Sequence, residues 1–138
     1  MMLTLDNVSK SFGALTVTDG VSLSVPKGQA LGIIGPNGAG KSTLFNLITG
    51  NLMVSSGRIE LMGRDVTRLP AMKRVRMGVG RSFQIPQPFE GLTVFENLLT
   101  AARFGGAAAH DRAVHDCAEI LRETGMLPRA NQLAGELS

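Results

Sequence analysis

The stretch GIIGPNGAGKSTLFNLITG, residues 32–50, passes from an apolar run through a glycine-rich turn into a segment of helical periodicity. The residues just before the turn, ALGII (30–34), are apolar without alternation, the pattern of a strand covered on both faces. After it, Leu44, Phe45, Leu47 and Ile48 suit a helix over Ser42–Thr49, with Gly50 placed to end it. Between them, Gly35, Gly40, Lys41 and Ser42 satisfy G-x-x-x-x-G-K-[ST] in the strand–loop–helix context that gives this motif its meaning. The glycines let backbone N–H groups converge on an anion, and the helix start adds its positive end. Lys41 brings a cation for the outer phosphates, and the Ser42 hydroxyl can ligate Mg²⁺. The candidate nucleotide-binding residues are thus Gly35, Pro36, Asn37, Gly38, Ala39, Gly40, Lys41, Ser42 and Thr43. The motif does not say which nucleotide is held.

Working outward, MLTLDNV (2–8) and VSLSV (21–25) alternate as half-buried strands, and PKGQ (26–29) is a turn. GRIELMGRDV (57–66) is expected to form a strand and a bend at Gly63, and PAMKRVRMG (70–78) a short helix between Pro and Gly. A strand is predicted over VGRSFQ (79–84), leading into the loop IPQPFEG. Thr93 and Glu96 have capping-box spacing ahead of a helix from about Val94 to Phe104. GGAAA (105–109) is read as a loop or hinge. A last helix near Asp111–Thr124 places Val114, Cys117, Ala118 and Leu121 on one stripe.

With 138 residues, 43% of them hydrophobic and 18% charged, the composition is that of an ordinary globular domain. No apolar run approaches a bilayer-spanning length, and the start lacks a signal-peptide pattern, so a cytosolic compartment is expected. The single cysteine excludes an internal disulfide and a multi-cysteine metal site. His110 and His115 are five apart, off the i, i+4 spacing of a metal pair, and are expected to be solvated. Seven basic residues stand between Arg58 and Arg81 against Glu60 and Asp65. With no aromatic residue among them before Phe83, they are read as a solvated face, and nucleic acid is not expected as a partner.

GPNGAGKSTL, preceded by SFG and followed by SSGRIEL, RSFQ and LTVFENLL, strongly resembles the ATP-binding subunits of ABC transporters. Within them it is most similar to the ATPases of branched-chain amino acid uptake systems. The resemblance implies an α/β P-loop NTPase fold of ABC ATPase type. Residues 1–88 would form an incomplete core sheet with an antiparallel β subdomain, and residues 89–138 part of a helical subdomain. It further implies ATP and Mg²⁺ as ligands, with Phe12 stacking on adenine and Ser42 and Gln84 reaching the metal. Gln84 and Lys41 would be the catalytic contributors present. Implied partners are transmembrane permease subunits, a second ATPase subunit arranged head to tail and, indirectly, a substrate-binding protein. The expected location is cytoplasmic, peripheral on the inner face of the membrane.

In that family Leu137 and Ser138 would begin the signature motif. The second acidic strand end, its adjacent glutamate and the switch histidine have no counterpart here. The family members would be ATPases, whereas these 138 residues alone are expected to bind Mg-ATP without turning it over. A non-hydrolysing nucleotide-binding fragment and a soluble ABC ATPase of DNA repair or translation are the alternatives. A GTPase is disfavoured because no Asn-Lys-x-Asp motif occurs.

Overall fold

The alternating apolar residues near the N-terminus lie in strands as the sequence predicts, and the structure shows that these strands are longer and pair with each other. In the computed structural model, which describes residues 1–105 and 110–137, β1 (Leu3–Phe12) and β2 (Leu15–Val25) form an antiparallel hairpin that turns at Gly13 (φ 59). β3 (Ser56–Leu61) pairs with the other edge of β1, and β4 (Arg64–Asp65) with β3, giving the order β2-β1-β3-β4. Leu5, Val8 and Ile59 are essentially inaccessible to solvent. Leu5 and Val8 are three apart and would face opposite sides of a regular strand. An irregularity between them, with Asn7 at φ 47 and its N–H donated to Ser22 Oγ (2.9 Å), turns both inward. The bend predicted at Gly63 is a turn in which Met62 (φ 50) and Gly63 (φ 75) both have positive φ, matching the right-handed twist of the strands.

The chain divides into two compact units, Met1–Arg74 and Val75–Ser138. In the first, α1 (Lys41–Thr49) buries Leu44 and Leu47 and ends at Gly50, whose left-handed conformation (φ 79) returns its N–H to Leu47 O. α2 (Ala71–Arg76) is the short helix expected after Pro70.

Two predicted strands do not form. Residues 30–34 are irregular, and Leu31 and Ile34 are exposed, Ile34 at 98%. Residues 79–84 are irregular too, with Phe83 exposed. A strand needs a neighbour to take its N–H and C=O groups, and no described strand lies in register beside either segment. The basic stretch also departs from a uniformly solvated face. Arg58 pairs with Glu60 and Asp65, both at 3.1 Å, and Arg74 is fully buried, where desolvation lowers the pKa of a guanidinium that nonetheless stays charged.

In the second unit, α3 (Val94–Gly105) packs against α4 (His110–Glu123). Ala113, Cys117 and Leu121 form the buried stripe of α4, with Val114 and Ala118 at its margin. Burial, and secondarily Asp116, pushes the Cys117 thiol up, as suits a core residue. Gly105 closes α3 rather than opening a loop, and residues 106–109 of the expected hinge lie outside the described residues, as does Ser138. The segment after α4 folds back on the start of α3, where Val94 and Phe95 donate their N–H groups to Gln132 O and Ala130 O.

The capping box closes α3 from the other side. Glu96 accepts from the Thr93 N–H (2.7 Å) and hydroxyl (2.9 Å), and Thr93 Oγ1 accepts from the Glu96 N–H. The Thr93 amide, then its hydroxyl, hold the Glu96 carboxyl below its ordinary pKa. Its contribution is therefore complete above the unfolded glutamate range and is lost as pH falls through the lowered value. Glu96→Gln is expected to remove this share of the acid sensitivity of helix unfolding, followed by circular dichroism as pH is lowered. Superimposable pH profiles for the two proteins would contradict it.

Candidate functional site

Gly35 to Gly40 curl tightly because the chain gives them room to. Ala39 returns its N–H to Pro36 O, while Gly38 (φ 85) and Gly40 (φ 77) take conformations that L side chains resist. Gly40 is required twice over, since a Cβ there would lie 2.7 Å from Val17 O and 3.3 Å from Val17 Cγ1. Strand β2 thus presses on the loop at the point where α1 begins. Position 35 is tight in another way: a Cβ would come within 3.3 Å of Ala39 Cβ.

Lys41 folds back over this loop, and its ammonium donates to Gly35 O (2.5 Å) and Pro36 O (2.6 Å). The charge is therefore held at the rim of the loop by neutral acceptors, with no carboxylate competing for it in those contacts. No side chain caps the N-terminus of α1, so the first-turn N–H groups are available to an outside acceptor. The Ser42 hydroxyl is on that same exposed turn, with Thr43 half-buried beside it. Asn37 to Thr43, with Val17, line a cavity of about 230 Å³. Three larger recesses, of about 470, 440 and 480 Å³, lie along the sheet at Asp6, Ser22 and Arg58, by Asp65 and Arg68, and near Met53 and Thr67. None of the three gathers helix-terminal N–H donors and a lysine, so the smallest cavity is the one with the chemistry for a polyanion.

Phe12 ends β1, opposite Leu15 across the hairpin and two residues before Val17 meets Gly40 on the other strand. It is half exposed, not a core residue closing a strand, and Lys10 Nζ stands 5.1 Å from its ring centroid. Nothing in the sequence marks Lys10 or Val17 as part of the site, since Val17 reaches Gly40 only through the register of the β1–β2 hairpin. Gln84 belongs to the second unit, in an exposed bend after Phe83, whose ring stacks under the Arg81 guanidinium (5.0 Å).

The donor set fits a nucleotide triphosphate, since it offers N–H groups, a lysine and hydroxyls and no competing anion. It fits Mg²⁺ in part, with Ser42 Oγ as one oxygen ligand and the phosphates as others. No cluster of three His, Cys, Asp or Glu side chains that could hold a metal occurs among the described residues. His115 is exposed, 3.8 Å from Asp116, and the side chain of His110 lies outside the described part.

The loop, the flanking helix and the lysine form a candidate phosphate-binding site. Residues 18–138 match the ABC transporter family, and the chain belongs to that family. Its α/β fold with an antiparallel sheet is that of the ABC ATPase cassettes. The ADP conformation of MJ1267, an ATP-binding cassette of an ABC transporter, superposes with a TM-score of 0.82 at 37% identity, over 99% of this chain and 59% of that one. The dimeric post-hydrolysis state of the cassette MJ0796, bound to ADP and Pi, gives 0.80 at 26% identity, over 99% of this chain and 63% of that one. In sequence, the probable branched-chain amino acid transport ATP-binding protein LivG of Methanocaldococcus jannaschii is 47% identical over 98 residues, 71% of this chain and 38% of that protein. The high-affinity LivG of Salmonella typhimurium is 35% identical over 99% of this chain and 59% of its own length. The chain thus spans between about two fifths and three fifths of these two relatives. No helix among the described residues is long and apolar enough to cross a membrane.

Proposed function

We propose that this chain is the ATP-holding part of an ABC transporter ATPase that drives import of branched-chain amino acids or similar small solutes. The observation that carries the ATP-holding part is Lys41, poised over a loop whose glycines and uncapped helix start present donors to an anion. The named relatives support the solute class, as branched-chain amino acid transport proteins. In this reading Gly35 to Thr43 would cradle the phosphates, Phe12 would stack on the adenine and Ser42 would give an oxygen to Mg²⁺, while Gln84, in the second unit, is the amide that the family resemblance assigns to the metal and its water. The metal, when bound, neutralises charge on the β and γ phosphates. Gln84 orients the attacking water, since an amide both accepts from water and donates to phosphate without adding charge. Residues 1–88 would carry the nucleotide and residues 89–138 the helical subdomain; a permease subunit would meet the loop of Gln84, a second ATPase subunit would pair head to tail, and a substrate-binding protein would act through the permease. The protein works at the inner face of the membrane.

The test is thermal unfolding with and without Mg-ATP. At about 100 times Kd, binding adds roughly 2.7 kcal/mol and raises the midpoint by several degrees. A midpoint unmoved by saturating Mg-ATP would refute nucleotide binding by this chain.

A further inference from the structure

Arg74 is fully buried, and every acceptor its guanidinium meets is a backbone carbonyl. Nη1 donates to Leu47 O (2.7 Å) and Ile48 O (2.9 Å), Nε to Leu69 O (2.8 Å) and Nη2 to Thr67 O (3.1 Å). Leu47 and Ile48 are in the last turn of α1, the nine-residue helix whose first turn carries Lys41, Ser42 and Thr43. The charge therefore sits at the negative end of the dipole whose positive end faces the phosphate loop. Space for it is made by Gly50, where a Cβ would lie 2.8 Å from Arg74 Nε. Burying a guanidinium is a poor way to gain stability, because its desolvation cost is large and an apolar side chain of similar volume is often as good or better. Something other than core filling is needed to account for the charge.

We propose that Arg74 is a positioning residue for phosphate binding, clamping the C-terminal end of α1 to residues 67–69 so that its first turn is held in register with the loop. The proposal rests on the nucleotide-binding reading above. The lever is short and stiff. A nine-residue helix is about 13.5 Å long, so a tilt of about 5° at the clamped end moves the first turn by roughly 1 Å. A displacement of that size is enough to spoil N–H···O geometry at the phosphates. The four bonds tie two stretches of chain, 47–48 and 67–69, that no strand pairing connects.

The experiment compares wild type, Arg74→Met and Arg74→Lys in the full chain, measuring Mg-ATP affinity by calorimetry well below each unfolding midpoint. Arg74→Met, which fills the volume without charge or donors, is expected to weaken Mg-ATP binding about tenfold in protein that is still folded. Arg74→Lys, which keeps the charge but cannot reach all four carbonyls, is expected to recover part of that loss. A purely structural arginine would lower the midpoint and leave the affinity of the folded protein unchanged, and that result in Arg74→Met overturns the proposal. If Arg74→Met does not fold, Arg74→Lys decides alone: wild-type affinity overturns the proposal, and a several-fold loss with a cooperative transition supports it. A wild type that fails to bind Mg-ATP refutes the nucleotide-binding reading itself, whereas a binding wild type with an equally binding Arg74→Met refutes only the role of Arg74.

Discussion

Lys41→Ala is expected to weaken Mg-ATP binding by roughly 30- to 5,000-fold, the loss that corresponds to about 2–5 kcal/mol for removing one member of a hydrogen-bonded charge pair. The site explains why so much rests on one side chain. Its other donors are neutral N–H groups and hydroxyls, and Lys41 is the cation that bridges the loop at Gly35 O and Pro36 O. Those acceptors are carbonyls of an exposed loop, so water replaces the ammonium there at little cost, and the variant's stability without nucleotide is expected to stay within about 0.5 kcal/mol of wild type. Calorimetric titration with Mg-ATP, paired with urea unfolding, separates the two effects. Equal affinities for Lys41→Ala and wild type would remove this loop from the nucleotide site. A large loss of stability in the nucleotide-free variant would make Lys41 a structural strap instead of a ligand-binding group.

Most of what positions this site is local enough to be legible in the sequence. The glycine-lysine-serine loop declares itself by spacing, and the structure adds the reason Gly40 tolerates no side chain, the carbonyl of Val17. The bend at Gly63 and the box of Thr93 and Glu96 rest on interactions within a few residues and form where expected, whereas alternation marks strands over 2–8 and 21–25 without showing that they lengthen and pair as a hairpin. The two strands that fail, over 30–34 and 79–84, share a different character. An apolar run shows that a segment would be stable with sheet neighbours on both sides, yet pattern carries no information on whether such neighbours are at hand. Ile34, almost wholly exposed, marks that gap between a segment's suitability for a sheet and its environment. Arg74 was illegible for a related reason. Within a basic stretch it reads as one more solvated charge, and its burial depends on carbonyls of Leu47 and Ile48, more than twenty residues earlier. The irregularity at Asn7 is not part of the alternating pattern read from residues 2–8; the structure places it between Leu5 and Val8.

That irregularity leads to the largest expected loss of stability. Gly57 has φ 89, and a Cβ built on it would fall 2.3 Å from Asn7 O, 2.5 Å from Asn7 C and 2.6 Å from Val8 Cα. All three are backbone atoms of β1, one of the two inner strands, so no side-chain rotation relieves the overlap. Gly57→Ala must either push β3 away from β1 or undo the turn at Asn7 that points Val8 into the core. Both routes disturb the layer of Leu5, Val8 and Ile59. Positive φ alone costs an L residue about 1–2 kcal/mol, and the forced separation adds the loss of ladder bonds and packing, for a total of about 4 kcal/mol or more. Against an overall stability of about 5–15 kcal/mol for a domain, that is enough to leave a substantial unfolded population under mild denaturant. Gly63→Ala supplies the comparison, since Gly63 has φ 75 but a Cβ there meets nothing within 4 Å, so only the conformational cost applies. Urea unfolding of the two variants should therefore differ by about 2 kcal/mol or more in favour of Gly63→Ala. Equal losses would mean that β3 shifts freely past Asn7 and that the close approach does not hold the sheet in register.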